Sequence, residues 1–136
     1  MKPRLHSFMG SVFEEMCRYF TFEQGIQGYF GGFLTQAGTW WGMETVERQK
    51  GEKVQQSADI DVVAISEMDK TAVVGECKFK KERIDKRVFD TLHGRASLIS
   101  GKYKVVKYVL FSLSGYTDWF DTLENDRVLL LSLNDL

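Results

Sequence analysis

Proline and cysteine are nearly missing from this chain, whose 136 residues hold one Pro and two Cys. With a single proline, Pro-rich linkers and rigid low-complexity architectures are excluded, and a hydrophobic content of 43% is enough to bury a core in one domain, 1–136. Cys17 and Cys77 fall within apolar patterns at no metal-ligand spacing. That argues for reduced core thiols in a cytoplasmic protein over a disulfide framework or a zinc module. No apolar run reaches the length of a membrane span, and the start, Met-Lys-Pro-Arg-Leu-His-Ser, lacks the apolar stretch of a signal peptide. A Gly-x-x-x-x-Gly-Lys-Ser/Thr stretch is also missing, which excludes P-loop nucleotide chemistry within this chain. Charge of one sign is lacking too: a net charge of −1 excludes a protein whose whole surface grips nucleic acid.

What the chain does have is concentrated in residues 58–81. Ile60–Ile65 and Thr71–Phe79 are rich in Val and Ile, and the polar stretch Glu67-Met68-Asp69-Lys70 separates them, so an antiparallel hairpin is predicted. If the turn is symmetric about Met68 and Asp69, Ser66 faces Thr71 and Asp61 faces Glu76. Alternation then puts Glu76 and Lys78 on one face and Cys77 and Phe79 on the other. Opposed residues have Cβ atoms only about 5 Å apart, and two carboxylates there repel. A divalent cation would offset that repulsion, because Mg²⁺ (or Mn²⁺) is typically held by one or two carboxylates plus water and phosphate oxygens. Lys78 would then orient or deprotonate an attacking water and steady charge developing on a phosphoryl group. The pattern points to phosphodiester hydrolysis; its plain alternative is a solvated sheet face without chemistry.

From Lys78 to Lys107, ten lysines and arginines stand against Glu82, Asp85 and Asp90, a local balance of +7 in a chain of net charge −1. A basic region beginning at the carboxylates suits a polyanion such as DNA, with Lys80, Lys81, Lys86 and Arg87 as contacts; the alternative is a solvated helix face.

Around this hairpin the elements follow from periodicity. Leu5, Phe8, Met9, Val12, Phe13, Met16, Cys17 and Phe20 recur at steps of three and four, which predicts a first helix opened by Pro3. Glu14 and Glu15 lie off that stripe. Wheel angles put Glu15 nearer to it, and a surface carboxylate paired with Arg18 is the alternative for either. Residues 24–39 read as a glycine-rich packed loop, Trp40–Val46 as a strand, and Glu47–Ser57 as a mobile polar crossing. The paired tryptophans Trp40 and Trp41 suit either base stacking or the wall of a core. Ile84, Val88, Leu92, Ala96 and Ile99 mark a second helix stopped by Gly101, with His93 as a packing or surface residue. Lys104–Ser112 reads as a strand, Tyr116–Leu123 as a short helix and Val128–Leu133 as a last strand. The order αβββαβαβ predicts an α/β domain, a mixed central sheet flanked by helices, with Thr71–Phe79 central because its first half is apolar on both faces.

Ile-Asp-Val-Val-Ala, a short hairpin, then Gly-Glu-Cys-Lys resembles the D…(D/E)-x-K core of the restriction-endonuclease-like superfamily, which includes archaeal Holliday-junction resolvases. Those enzymes often carry a glutamate four residues after a glycine in the first helix, as in Gly10-Ser-Val-Phe-Glu14, so the resemblance favours Glu14 over Glu15. No proline precedes Asp61, unlike the superfamily's nominal motif. A closer resemblance spans nearly the whole chain: Gly38-Thr-Trp-Trp-Gly42, Asp59-Ile-Asp-Val-Val-Ala64, Gly75-Glu-Cys-Lys78 and Leu110-Phe-Ser-Leu-Ser-Gly-Tyr-Thr117 look like the domain of unknown function 234 found at the C-terminus of prokaryotic DEXX-box AAA-type ATPases. Asp59 stands where that family often has glutamate. The resemblance implies a restriction-endonuclease-like fold, a Mg²⁺-dependent nuclease with Glu14, Asp61, Glu76 and Lys78 at its centre, and a chain that is a C-terminal fragment or detached relative of an ATPase, with the ATPase domain as partner in cis. The alternative is a non-catalytic nucleic-acid-binding or protein-interaction module regulating that ATPase. A homo-oligomer is compatible with either.

Overall fold

A computed structural model describes residues 12–23, 36–123 and 127–132. The expected helix start from Pro3 to Gly10, most of the glycine-rich stretch, and Leu133 lie outside them. Residues 12–23 form helix α1. Strands β1 (Gln36–Glu47), β2 (Lys53–Ser66) and β3 (Thr71–Lys78), helix α2 (Lys86–Ala96), and strands β4 (Lys104–Ser112) and β5 (Val128–Ser132) follow.

The strands lie side by side in the order β1-β2-β3-β4-β5. Both pairings before β3 are antiparallel and both after it are parallel, which makes the sheet mixed, as expected. β3 is central because Ala72, Val73 and Val74 are fully buried and present apolar side chains to both faces. On one face, Phe13 and Cys17 of α1 pack on Val62, Ala64, Val73, Val109 and Phe111. On the other, Phe89, Leu92 and Ala96 of α2 pack on Ile60, Ala72, Val74 and Leu110. Full burial of a large aliphatic or aromatic side chain contributes about 2 kcal/mol each, so both helices are held chiefly by this packing. α2 begins where Asp85 accepts the Val88 backbone N–H on its side chain at 3.3 Å, an N-cap that satisfies one orphan donor. Among the described residues no helix is long and apolar enough to cross a membrane.

Several expectations need correction. Glu47–Ser57 is not a mobile crossing: only residues 48–52 turn, while Lys53–Ser57 belong to β2 and pair with β1 out to Glu47–Lys53. Polar residues read as a loop here because a two-stranded ribbon that extends past the core has little apolar surface to bury. Strand β1 starts at Gln36, inside the expected loop. The short helix expected over Tyr116–Leu123 is a five-residue 3-10 turn, Asp118–Thr122. α2 is also shorter than its apolar spacing suggests: Ile84 instead bridges Tyr116, and Ile99 lies in the turn after the helix.

Candidate active site

The site lies at the fork where β2 leaves β3. A four-residue turn, Glu67–Lys70, joins the two strands, and the pairing Ser66–Thr71 runs back as far as Val62–Gly75. The even turn sets the register, so the next step brings Asp61 and Glu76 together, as expected. Gly75 is required there: an added Cβ would lie 2.9 Å from the Val109 carbonyl oxygen and 3.2 Å from the Val62 side chain. Just before Asp61 the pairing of β2 with β1 slips, from Gly38–Val63 to Trp40–Ile60, so β2 has one extra residue opposite Thr39. Such a bulge re-aims side chains. In the fork, Asp61 Oδ2 accepts the backbone N–H of Cys77 at 3.0 Å. Its carbonyl oxygen is held from the other side by the Thr39 hydroxyl at 3.1 Å and the Arg18 guanidinium at 3.4 Å.

Asp61 and Glu76 are 7% and 9% exposed. Burial, and then the adjacent Asp61 carboxylate, push the Glu76 pKa up from 4.5 to about 8. At neutral pH Glu76 therefore holds a proton and hydrogen-bonds to Asp61. Lys78 Nζ, on the same face two residues on, lies 3.1 Å from Glu76 Oε1. Glu14 approaches from α1. Its pKa is raised by partial burial and then by Asp61, and the Arg18 side chain 3.9 Å away opposes that rise. Glu15 is exposed, whereas Glu14 is partly buried beside Asp61. Cys77 and Cys17 are free, buried and in contact across α1 and β3, and burial pushes the Cys77 thiol well up, as inert core thiols require.

A groove of about 510 Å³ opens from Glu76 and Lys78 along α2, lined by Lys80, Arg83, Arg87, Thr91 and Arg95 among others. Of the four basic residues expected to meet DNA it takes in Lys80 and Arg87. Lys81 is exposed outside its lining, and Lys86 points elsewhere, bonded to Asp90 at 2.5 Å and lying over the Trp119 ring. Arg83 and Arg95 line it as well. Arg95 is legible in the sequence only as a polar helix position, because its partners lie far away along the chain: it clamps Glu44 through hydrogen bonds of 3.1 and 3.2 Å and bonds the Asp59 carbonyl at 2.9 Å. The groove wall is held by the segment Leu110–Thr117. Leu113 N–H and the Ser114 hydroxyl bond the carbonyls of Lys78 and Lys80, Gly115 accepts the Ile84 N–H, and Thr117 N–H bonds the Ile84 carbonyl. Ser112 closes that loop through the Gly115 N–H at 2.8 Å, and Gly115 has φ +94°, a conformation suited to glycine.

The donor set suits one kind of cation. Among the described residues no three His, Cys, Asp or Glu side chains gather into a complete ligand cage. Two buried carboxylates that meet at the fork match a hard cation that takes few protein oxygens and completes its shell with water and phosphate.

Residues 1–89 match the model of a protein family, domain of unknown function 234, described as archaeal and bacterial proteins of unknown function. No curated protein and no solved structure matches the chain.

Proposed function

The chain belongs to the family of domain of unknown function 234, and from its site geometry we propose that it is a restriction-endonuclease-like domain that hydrolyses phosphodiester bonds of nucleic acid, DNA in the first instance, with Mg²⁺ or Mn²⁺. One observation carries the reading: the buried carboxylates of Asp61 and Glu76 meet at the sheet fork, with Lys78 3.1 Å from Glu76. Asp61 and Glu76 would hold the cation, which supplies Lewis-acid polarisation of a phosphoryl oxygen. Glu76 must first lose its proton, and the N–H of Cys77 keeps the Asp61 carboxylate oriented meanwhile. Lys78 orients the attacking water and meets the charge that develops on the phosphoryl group. Glu14 supports the water or the cation from the α1 side. Lys80, Arg83 and Arg87 lead the phosphate backbone along the groove. The mixed sheet with an antiparallel hairpin followed by a parallel crossover supports the superfamily assignment. An AAA-type ATPase domain joined in cis, in the cytoplasm, is the partner proposed for it.

Labelled single-stranded, flap, junction and duplex DNA incubated with Mg²⁺ or Mn²⁺ test the proposal. Cleavage that disappears in Asp61→Asn and in Glu76→Gln supports it. Binding without cleavage, even when joined to an ATPase partner, replaces it with a non-catalytic module that regulates the ATPase.

A further inference from the structure

The neighbouring residues Trp40 and Trp41 have opposite fates. Trp40 packs against the α2-side core, and its indole covers Gly42 so closely that a Cβ there would lie 2.3 Å from the ring. Alternation along the strand sends Trp41 to the other face, where it is 74% exposed. A tryptophan so exposed forgoes a large share of the stabilisation its burial would bring.

Its position is specific. Trp41 pairs across the ladder with Asp59, two residues before Asp61 on the same strand, hence about 7 Å along it from the carboxylate fork. The β1–β2 ribbon is braced on both sides of Trp41, by Trp40 over Gly42 and by the clamp of Arg95 on Glu44 and Asp59. A rigid aromatic platform therefore stands next to the carboxylates, on the opposite side of the ribbon from the basic groove. Among the described residues of the ribbon, the exposed apolar stripe around it is small. Met43, 55% exposed, continues it, but the residues across the ladder are Asp59, Ser57 and Gln55. Such a stripe falls far short of the roughly 800 Å² per partner that a stable protein interface buries. It matches one planar ring, and every nucleobase offers a π-face to stack on.

We propose that Trp41 stacks on an unpaired nucleobase beside the scissile phosphate, so that the substrate is single-stranded at the cleavage point. The inference rests on the nucleic-acid reading of the site and adds the substrate class. In it, the phosphate sits in the fork, the backbone continues into the groove of Lys80, Arg83 and Arg87, and the base turns to the Trp41 side.

The test uses binding rather than cleavage. The wild-type chain, Trp41→Ala and Trp41→Phe are titrated in EDTA with a fluorescein-labelled single-stranded oligonucleotide and with a blunt duplex, while intrinsic tryptophan fluorescence is recorded. Expected is quenching of the wild-type emission by the single strand, with affinity about tenfold weaker in Trp41→Ala and mostly retained in Trp41→Phe, and duplex binding unchanged. Because the side chain is exposed, melting temperatures confirm that the variants fold. If the wild type binds single strands and Trp41→Ala binds them equally well, or loses single strand and duplex alike, the stacking role falls while the function stands. Self-association lost in Trp41→Ala with oligonucleotide binding unaltered overturns it as well. A wild type that binds neither oligonucleotide removes the nucleic-acid reading, and the inference goes with it.

Discussion

Asp61 Oδ2 accepts the backbone N–H of Cys77 at 3.0 Å, so the residue that follows Glu76 in β3 fixes the carboxylate beside Glu76. One peptide unit thus sets the geometry of both proposed ligands.

Replacing Asp61 by Asn keeps an oxygen acceptor for Cys77 and removes the neighbouring negative charge that hinders ionisation of Glu76. The variant is expected to match the unchanged protein in metal-free stability to within about 1 kcal/mol, or to exceed it. It should nevertheless lose the stabilisation that Mg²⁺ or Mn²⁺ gives, since a ligand that binds only the folded state stabilises through its affinity. Thermal melts with and without metal measure both. A large drop in metal-free stability would mean that Asp61 serves the fold alone.

The Glu76 pKa is raised on folding, from 4.5 to about 8. Its held proton therefore contributes stability that is full below about pH 4.5 and is lost as pH rises through about 8. Metal-free denaturation curves across that window should show stability falling with pH, and Glu76→Gln should flatten the slope and gain on the order of 3 kcal/mol at pH 8. Metal affinity should run the other way, rising with pH as the competing proton leaves. A flat profile in the unchanged protein would contradict the buried proton.

Lys78→Ala separates catalysis from binding. Removing a cation beside Glu76 should leave metal-induced stabilisation equal or larger, while the cleavage rate falls by a factor on the order of 10² or more. Single-turnover assays alongside thermal shifts read the two effects. Equal loss of both would make Lys78 a structural partner of Glu76.

The groove predicts which basic residues matter. Charge reversal of Lys80, Arg83 and Arg87 to Glu should weaken DNA binding and flatten its salt dependence, by about one unit of slope for each phosphate left without its cation. The same change at Lys81 and Lys86, outside the groove lining, should do much less. Fluorescence anisotropy over a salt series distinguishes the two sets, and equal effects would argue for diffuse attraction over a track.

Gly75→Ala should cost roughly 2 kcal/mol or more, because its Cβ would press on the Val109 carbonyl and on Val62 in a strand buried on both faces. Urea denaturation measures it. A neutral change would show that β3 and β4 can part at this point.

The hairpin was legible in the sequence because its information is local. Val and Ile cluster on both sides of a polar turn, and parity alone then places Asp61 against Glu76 and puts Cys77 and Phe79 on the face opposite Glu76 and Lys78. The central place of β3 was legible for a similar reason, since a first half that is apolar on both faces leaves no side for water. Other features depend on residues distant in sequence. Helical angles point to Glu15, and only the seating of Phe13 and Cys17 on the sheet turns Glu14 toward Asp61. The slip in the β1–β2 pairing just before Asp61 leaves no composition signal, because it is a mismatch between two strands. Arg95 looks like any polar helix residue until Glu44 and Asp59 come within reach of it. The tryptophan pair is the plainest case: neighbours identical in chemistry are separated into one core residue and one exposed ring by the side of the strand that faces α2.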